Sequence, residues 1–529
     1  MRRTALLGIA PALIATTALA QHEHHAGEQP VGQVSFPTSC TAAVQPTLDR
    51  AVAMLHSFWF EEAAETFEVV ARDDSSCAMA YWGTAMTMWG NPLVRQPIPA
   101  DRQAAGLAAA ERAAALAARA THREQMYADA ALALWREADA QDHLARLARH
   151  EVAMEKLYKA HGEDPEAAIF YARAVIANAP PSDLTFARQK FAATILEPLF
   201  MKQPLHPGLA HYTIHTFDSP ALAQQGLAAA RRYAEIAPAA PHALHMPSHI
   251  FTRLGLWDES IETNRRSANA EPDSNAAVHP NDYMVYAYLQ QGRDAEAERQ
   301  LRRSREAADR FYGGVIGYNA IAMQARYALE RAAWGEAAAL PVPPSGAPFI
   351  AAVARFARAV GSARSGNAAA ASAEVEALAG LRDTLKARGD SYWMTIVEAQ
   401  RLAASAWIAK AEGKTDEAVR LANEGANLEE TVEKHPVTPG PLLPARELQG
   451  DLLLELGRHA EALEAYERTL AREANRARAL YGAAAAAEAL GRPGVARRHY
   501  ENLAMLMANA DATRPEARKA REYLGRSGG

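Results

Sequence analysis

The chain has 529 residues, of which 49% are hydrophobic and 22% are charged, a balance that excludes wholesale disorder. Its net charge of −6 argues against a basic face for nucleic acid, and its two cysteines exclude both a disulfide-dense scaffold and a zinc site of four thiolates. In chain order, the first predicted element is a secretory signal peptide at residues 1–20. Arg2 and Arg3 precede an apolar stretch, which ends at the small-residue cleavage signal Ala18-Leu19-Ala20.

The predicted signal peptide places the protein in the periplasm or outside the cell. An uncleaved membrane anchor is the alternative, but the apolar stretch is shorter than the roughly 20 residues that span a bilayer. We therefore expect no stable membrane insertion after cleavage. In an oxidising compartment Cys40 and Cys77 are expected to form a disulfide, and two free buried thiols are the alternative.

The rest of the chain divides where composition and periodicity change, and no alternating β-branched pattern predicts a sheet. The mature chain starts with Gln21-His22-Glu23-His24-His25, which is either a loose site for Cu, Ni or Zn or a solvated tail. The predicted regions are a flexible His-containing segment at 21–37, divergent repeat-like helices at 38–100, an Ala-rich helical region at 101–206, a repeat-like region with a histidine cluster at 207–311, degenerate repeat-like helices at 312–435, a C-terminal repeat pair at 436–510 and a terminal helix or tail at 511–529.

Internal repetition is clearest near the C-terminus. Three residue types recur there at one fixed interval, as Gly457 and Gly491, Ala462 and Ala496, and Tyr466 and Tyr500. This pattern resembles the tetratricopeptide repeat (TPR), a helix–turn–helix unit of about 34 residues in which a Gly ends the first helix and an aromatic ring packs between neighbours. The resemblance implies an all-α solenoid, wound as a right-handed superhelix with a concave groove.

Histidines repeat at the same period. His211 and His215 are four residues apart, as are His245 and His249, and the second pair follows the first at the interval seen in the C-terminal repeats. His242 adds a fifth imidazole to this histidine cluster.

Adjacent packed helices lie about 8–10 Å apart, so the five rings are expected to converge on one metal such as Zn, Cu, Ni or Fe. Asp218 is a further candidate ligand or orienting partner. Recognition of a polar ligand and a purely structural role are the alternatives.

Two segments around the histidines carry a second resemblance. The stretches HPGLAHYTIHTFDSP and APHALHMPSHIFTRLGLWDES, with the N-terminal CAMAYWGTAM, are similar to a family of exported bacterial TPR proteins. That resemblance supports grouping the five histidines and implies no activity. In TPR proteins the first helix of each repeat faces the groove, and we expect Tyr212, Thr252 and Arg253 to line it.

These patterns predict an exported TPR scaffold that binds a protein or peptide in its groove, without nucleic acid. The alternative is a metal-binding protein or metal-dependent enzyme centred on the histidines. HYTIH has the histidine spacing of a HExxH zinc protease, but Tyr212 stands where the general base would be. No catalytic residue is assigned, and an enzyme is the less favoured expectation.

Overall fold

The structure is a computed structural model that describes residues 30–95, 97–136, 143–272, 275–308, 314–344 and 346–526. The predicted signal peptide and the His-rich start at residues 22–25 lie outside these ranges. Within them the regular secondary structure is α-helical, with short 3-10 turns at Pro92–Val94 and Asn275–Ala277 and no strand. The prediction of an all-α helical-repeat fold is confirmed.

The helices follow one another closely, and most pack against the next helix in the chain. The N-terminal half contains α1 (Gln45–His56), α2 (Phe60–Asp73), α3 (Ala78–Trp89), α4 (Ala100–Ala117), α5 (His122–Trp135), α6 (His143–Ala160), α7 (Pro165–Ala177), α8 (Ala187–Lys202), α9 (Pro207–Phe217), α10 (Ala223–Ile236), α11 (Pro241–His245), α12 (Pro247–Arg253) and α13 (Trp257–Ala270). The C-terminal half contains α14 (Val278–Gln290), α15 (Asp294–Ala308), α16 (Gly314–Glu330), α17 (Trp334–Ala338), α18 (Pro348–Arg364), α19 (Ala368–Ala387), α20 (Ser391–Ala411), α21 (Thr415–Glu429), α22 (Ala445–Glu455), α23 (His459–Arg472), α24 (Ala477–Ala489), α25 (Pro493–Leu506) and α26 (Pro515–Arg526). Some helices, such as α11 with α13 and α16 with α14 and α18, pack mainly against the helix beyond their neighbour in the chain. None of the described helices has the length and apolar character needed to cross a membrane.

The repeat pattern has a visible packing cause at the C-terminal pair. Gly457 and Gly491 follow α22 and α24 with φ of +72° and +64°, the left-handed conformation that glycine adopts at little cost. The buried ring of Tyr466 on α23 packs against α24, where a Cβ on Gly482 would lie 2.2 Å from the ring. A small residue and an aromatic ring therefore fit together across neighbouring units.

The helical segment that carries His242, His245 and His249 is divided in two. The sequence pattern predicts one helix carrying His242, His245 and His249, but α11 ends at His245 and α12 begins at Pro247. Proline has no backbone N–H and its ring clashes with the preceding turn, so Pro247 interrupts the helical hydrogen bonds. His249 nevertheless stays beside His245.

The N-terminal helices carry a covalent link. Cys40 and Cys77 are joined in a disulfide across 37 residues, which ties the segment before α1 to the start of α3. We expect the double variant Cys40→Ser/Cys77→Ser to lose about 3–4 kcal/mol of unfolding free energy, because the link restricts the unfolded chain. Urea unfolding of both proteins, with and without reductant, measures this loss. Equal stability of the oxidised wild type and the variant would contradict it.

One long connection matters for the site described below. Residues 430–444, here called the strap, run from the end of α21 to the start of α22 without forming a helix. Pro436, Pro441 and Pro444 lie in the strap, and proline disfavours helix continuation. Contacts of the strap reach back more than 100 residues, to α14 and α16.

Candidate metal centre

Six histidines converge in the middle of the chain, on the first helices of three consecutive repeats. They form two groups of three, and within each group the three ring nitrogens lie within 4.8 Å of one another. The first triad is His211 and His215 from α9 with His242 from α11, and the second triad is His245 from α11, His249 from α12 and His279 from α14. All five histidines that the sequence predicted are therefore brought together, with one more.

Hydrogen bonds fix the tautomers of two rings in the second triad. His245 Nδ1 lies 2.6 Å from Asn264 Oδ1, and the Asn264 amide N–H donates to the Ser260 carbonyl at 2.7 Å, so Oδ1 is the acceptor. His249 Nδ1 donates to the Asp218 carboxylate at 2.8 Å. Each neutral ring therefore has a bare Nε2, and these two nitrogens are only 3.1 Å apart.

The third ring of this triad is oriented in the same way. His279 Nδ1 lies 3.2 Å from Asn319 Oδ1. The Asn319 amide donates to Asp282 at 2.9 Å and to the Val437 carbonyl at 2.7 Å, so its Oδ1 also acts as the acceptor. His279 is thus left with Nε2 free, and all three imidazoles are held through Nδ1.

The first triad is held less completely. His211 Nδ1 donates to the His56 carbonyl at 2.6 Å, and its bare Nε2 lies 3.2 Å from His242 Nε2. His215 Nε2 is buried without a hydrogen-bond partner among the described residues. A buried polar atom without a partner costs about 1–3 kcal/mol, so a bound ligand at this atom would remove a real penalty.

Burial keeps these imidazoles uncharged. It lowers the pKa of His211, His215, His242 and His245 well below the usual range and the pKa of His279 to about 3, with neighbouring rings adding to the effect. The neutral form is the one that binds metal ions. The rings are therefore in the form that can coordinate a metal ion at neutral pH.

Asp218 lies beside the second triad and not among its converging nitrogens. It accepts from His249, from Arg253 Nε at 2.9 Å and from Lys434 Nζ at 2.9 Å. Burial alone would raise the pKa of Asp218, but the charges of Lys434 and Arg253 hold it well below its usual range. Of the two roles predicted for Asp218, the geometry favours orienting His249.

A third group, His56 with Glu166 and His206, is saturated by hydrogen bonds of its own. Both histidines donate Nε2–H to Glu166, at 2.8 and 2.7 Å. His56 Nδ1 accepts from the Tyr212 hydroxyl at 3.0 Å, and His206 Nδ1 accepts from the Leu209 N–H at 3.3 Å. Every ring nitrogen here has a complementary partner, so this group is a structural network.

The residues expected to line a ligand groove are buried. The Tyr212 hydroxyl is hydrogen-bonded to His56 Nδ1, and the Thr252 hydroxyl lies 3.1 Å from the Ser260 hydroxyl of the next helix. Arg253 binds Asp218 and also lines a cavity beside the strap, together with Tyr392 and Lys434. In the described structure these residues are therefore covered by different neighbours: Tyr212 by the end of α1, Thr252 by α13, and Arg253 in part by the strap.

The strap holds the second triad from the outside. Lys434 binds Asp218, the Val437 carbonyl accepts from Asn319, and the Thr438 carbonyl accepts from the Tyr283 hydroxyl at 3.3 Å. That hydroxyl is also 3.4 Å from His249 Nε2. The strap thus contacts the residues that orient the second triad.

Glu429, the last residue of α21 before the strap, predicts a pH effect on stability. Burial raises the pKa of Glu429 from 4.5 to about 7, although the Ala445 N–H that it accepts from opposes the shift. Between pH 4.5 and about 7 the carboxyl of Glu429 is protonated in the folded chain but ionised in the unfolded chain. The unfolded chain therefore binds fewer protons in this range, and the free energy of unfolding falls as the pH rises through it. We expect Glu429→Gln to flatten this fall in urea unfolding, whereas exposed Glu424→Gln leaves it unchanged. An identical pH slope in wild type and Glu429→Gln would refute the assignment.

The sequence analysis missed two residues of the site that follow its own spacing rule. His279 lies one repeat period after His245, and Tyr283 lies one repeat period after His249. Extending the histidine ladder by one repeat would have found both. No comparable sequence signal indicates Asn264, Asn319 or the strap.

Comparisons with known proteins are uninformative about ligands. No family model and no curated protein matches the chain. Among solved structures, a human IFIT1 dimer with PPP-AAAA is 14% identical, covers 87% of this chain and 89% of that chain, and has a TM-score of 0.38. The P58(IPK) TPR domain is 14% identical over 92% of this chain and 99% of that one, with a TM-score of 0.21. The Cut9-Hcn1 assembly of APC/C is 12% identical over 92% and 96%, with a TM-score of 0.31.

Proposed function

We propose that this helical-repeat protein binds a transition metal at the six-histidine centre formed by the first and second triads. The observation that carries the proposal is the 3.1 Å approach of His245 Nε2 and His249 Nε2, both of which lack a proton when the rings are neutral. Two facing lone pairs repel each other unless a cation lies between them. Because burial disfavours an imidazolium, a metal ion is the better occupant.

The spacing of the nitrogens fits a bound ion. Two nitrogens on a tetrahedral ion with bonds of about 2.0–2.1 Å lie about 3.3 Å apart. The Nε2 separations of 3.1 Å in the second triad and 3.2 Å in the first are close to that value. Hydrogen bonds from Nδ1 to Asn264, Asp218 and the His56 carbonyl supply the outer support that metal-binding histidines usually have.

The donor set narrows the choice of metal. All six ligands are neutral imidazoles, which suit Cu, Zn, Ni and Fe better than Mg or Ca. Thiolate is unavailable because both cysteines form the disulfide. Affinity at a nitrogen site usually rises to a maximum at Cu(II), so we expect copper to be held most tightly and zinc or nickel next.

Metal content of the purified chain tests the proposal. The protein should start at Gln21 and carry His22→Ala, His24→Ala and His25→Ala, so that the His-rich start binds no metal. After reconstitution and desalting, elemental mass spectrometry should find at least one equivalent of Cu or Zn. His245→Gln/His249→Gln should bind less metal than the parent protein while keeping its circular dichroism, and His459→Gln on α23 should retain the full amount. No metal in the reconstituted parent protein would overturn the proposal.

Binding of a protein or peptide partner remains a separate prediction for the repeat scaffold. The burial of Tyr212, Thr252 and Arg253 means that a partner would have to use another surface or displace the elements packed over these residues. Export to the periplasm or beyond is also part of the proposal, and the Cys40–Cys77 disulfide is consistent with an oxidising compartment. No catalytic activity is proposed.

A further inference from the structure

The five histidines of α9, α11 and α12 form a closed ring. Going around it, the centroid distances are 4.9 Å from His211 to His215, 5.5 Å from His215 to His249, 5.0 Å from His249 to His245, 5.9 Å from His245 to His242 and 5.0 Å from His242 to His211. Within this ring, the two contacts between triads are only slightly longer than the other three. The first and second triads are therefore neighbouring parts of one cluster.

We propose that the first and second triads form one dinuclear metal centre, in which two ions are bridged by a small anionic ligand such as hydroxide. This inference rests on the proposed function and deepens it. Each triad supplies three protein ligands, the number that leaves an open coordination position on a tetrahedral ion. The triads adjoin at His215 with His249 and at His242 with His245, so two bound ions would be neighbours that one small ligand can bridge.

The outer contacts support two separate positions instead of one ion at the middle of the ring. His211 is held by the His56 carbonyl, on the side of α1, whereas His279 is held by Asn319 of α16. These two anchoring contacts therefore hold the triads against different helices. His279 also lies beside His245, at 4.4 Å between centroids, and so extends the cluster beyond the five-membered ring.

The charges around the cluster favour an anionic bridge. The six ligands are neutral, and the nearest carboxylate, Asp218, is already paired with Arg253 and Lys434. Two divalent ions so close together repel each other strongly in a buried site, and no protein carboxylate among the described ligands lies between them. A small anion that enters the shared open positions would offset this repulsion.

Copper loading combined with electron paramagnetic resonance (EPR) tests the inference. In the background lacking the tail histidines, we expect two Cu(II) per chain, with an EPR spectrum that is silent or shows a spin-coupled pair. Azide titration should give one bound azide per pair of ions, with a charge-transfer band. One ion per chain, or two ions with the full intensity of isolated Cu(II), would overturn the dinuclear centre and leave the proposed metal function standing. A chain that binds no metal would overturn both.

Single variants provide the matched control. His215→Gln in the first triad and His279→Gln in the second should each leave one copper per chain, with the full EPR signal of an isolated ion. His459→Gln, far from the cluster, should keep the coupled pair. A spin-coupled pair that survives in both single variants would contradict the assignment of one ion to each triad. Circular dichroism establishes that each variant is folded.

Discussion

Replacing Asp218 with asparagine should weaken metal binding and destabilise the fold at the same time. The side chain of Lys434 is 3% exposed, and Asp218 is its ion-pair partner in the structure. Removing the carboxylate leaves that buried ammonium without its direct ion-pair partner, which costs about 3–5 kcal/mol. The change also weakens the support of His249 Nδ1, and the loss of such an outer partner typically lowers metal affinity about 10–100-fold.

Two measurements separate the effects of Asp218→Asn. Urea unfolding of the metal-free protein measures the stability lost because Lys434 has no ion-pair partner. Competition with a chelator measures the metal affinity. The double variant Asp218→Asn/Lys434→Met removes both charges and should recover part of the stability, while the affinity stays low. An affinity that returns to the wild-type value in the double variant would contradict an orienting role for Asp218.

Replacing Arg326 with methionine should release the strap. Arg326 is fully buried on α16 and donates to the carbonyls of Pro441 at 2.8 Å and Gly440 at 2.7 Å, and to the Thr438 hydroxyl. Its Nε also pairs with the buried carboxylate of Asp282 at 3.2 Å. The variant loses these bonds and leaves Asp282 unpaired, so we expect a loss of about 3–5 kcal/mol of unfolding free energy and faster metal release to a chelator.

Limited proteolysis and a second pair of variants check the role of Arg326. Cleavage within residues 430–444 should become faster in Arg326→Met. The double variant Asp282→Asn/Arg326→Met should recover stability but not protection of the strap, because the strap bonds remain lost. Arg331→Met, which breaks an ion pair with the exposed Glu336, should cost less than about 1 kcal/mol. Unchanged proteolysis in Arg326→Met would show that other contacts hold the strap.

The helical repeats and the histidine cluster could be predicted because both depend on short-range periodicity. A spacing of four residues puts His211 and His215 on one helix face, and the repeat period stacks that face on the face of His245 and His249. Helix packing then brings the rings together without any further information. His279 obeys the same period and was within reach of the same reasoning.

The orientation of the rings and the cover over them could not be predicted in this way. Asn264 and Asn319 are ordinary polar residues until the fold places their amide oxygens beside Nδ1 of His245 and His279. The strap meets the centre through contacts such as Lys434 with Asp218, which are 216 residues apart. Such distant pairs leave no periodic signal in one sequence, so the packing of the strap beside the second triad could not be expected.

The position of the strap in the chain has a consequence for the order in which the centre is assembled. All six histidines precede residue 280, whereas the strap begins at residue 430. A chain that emerges from a ribosome or a translocation channel with its N-terminus first would therefore present the imidazoles well before their cover exists. Metal uptake at the second triad would then be easiest during biogenesis, before the strap packs against the residues that orient it.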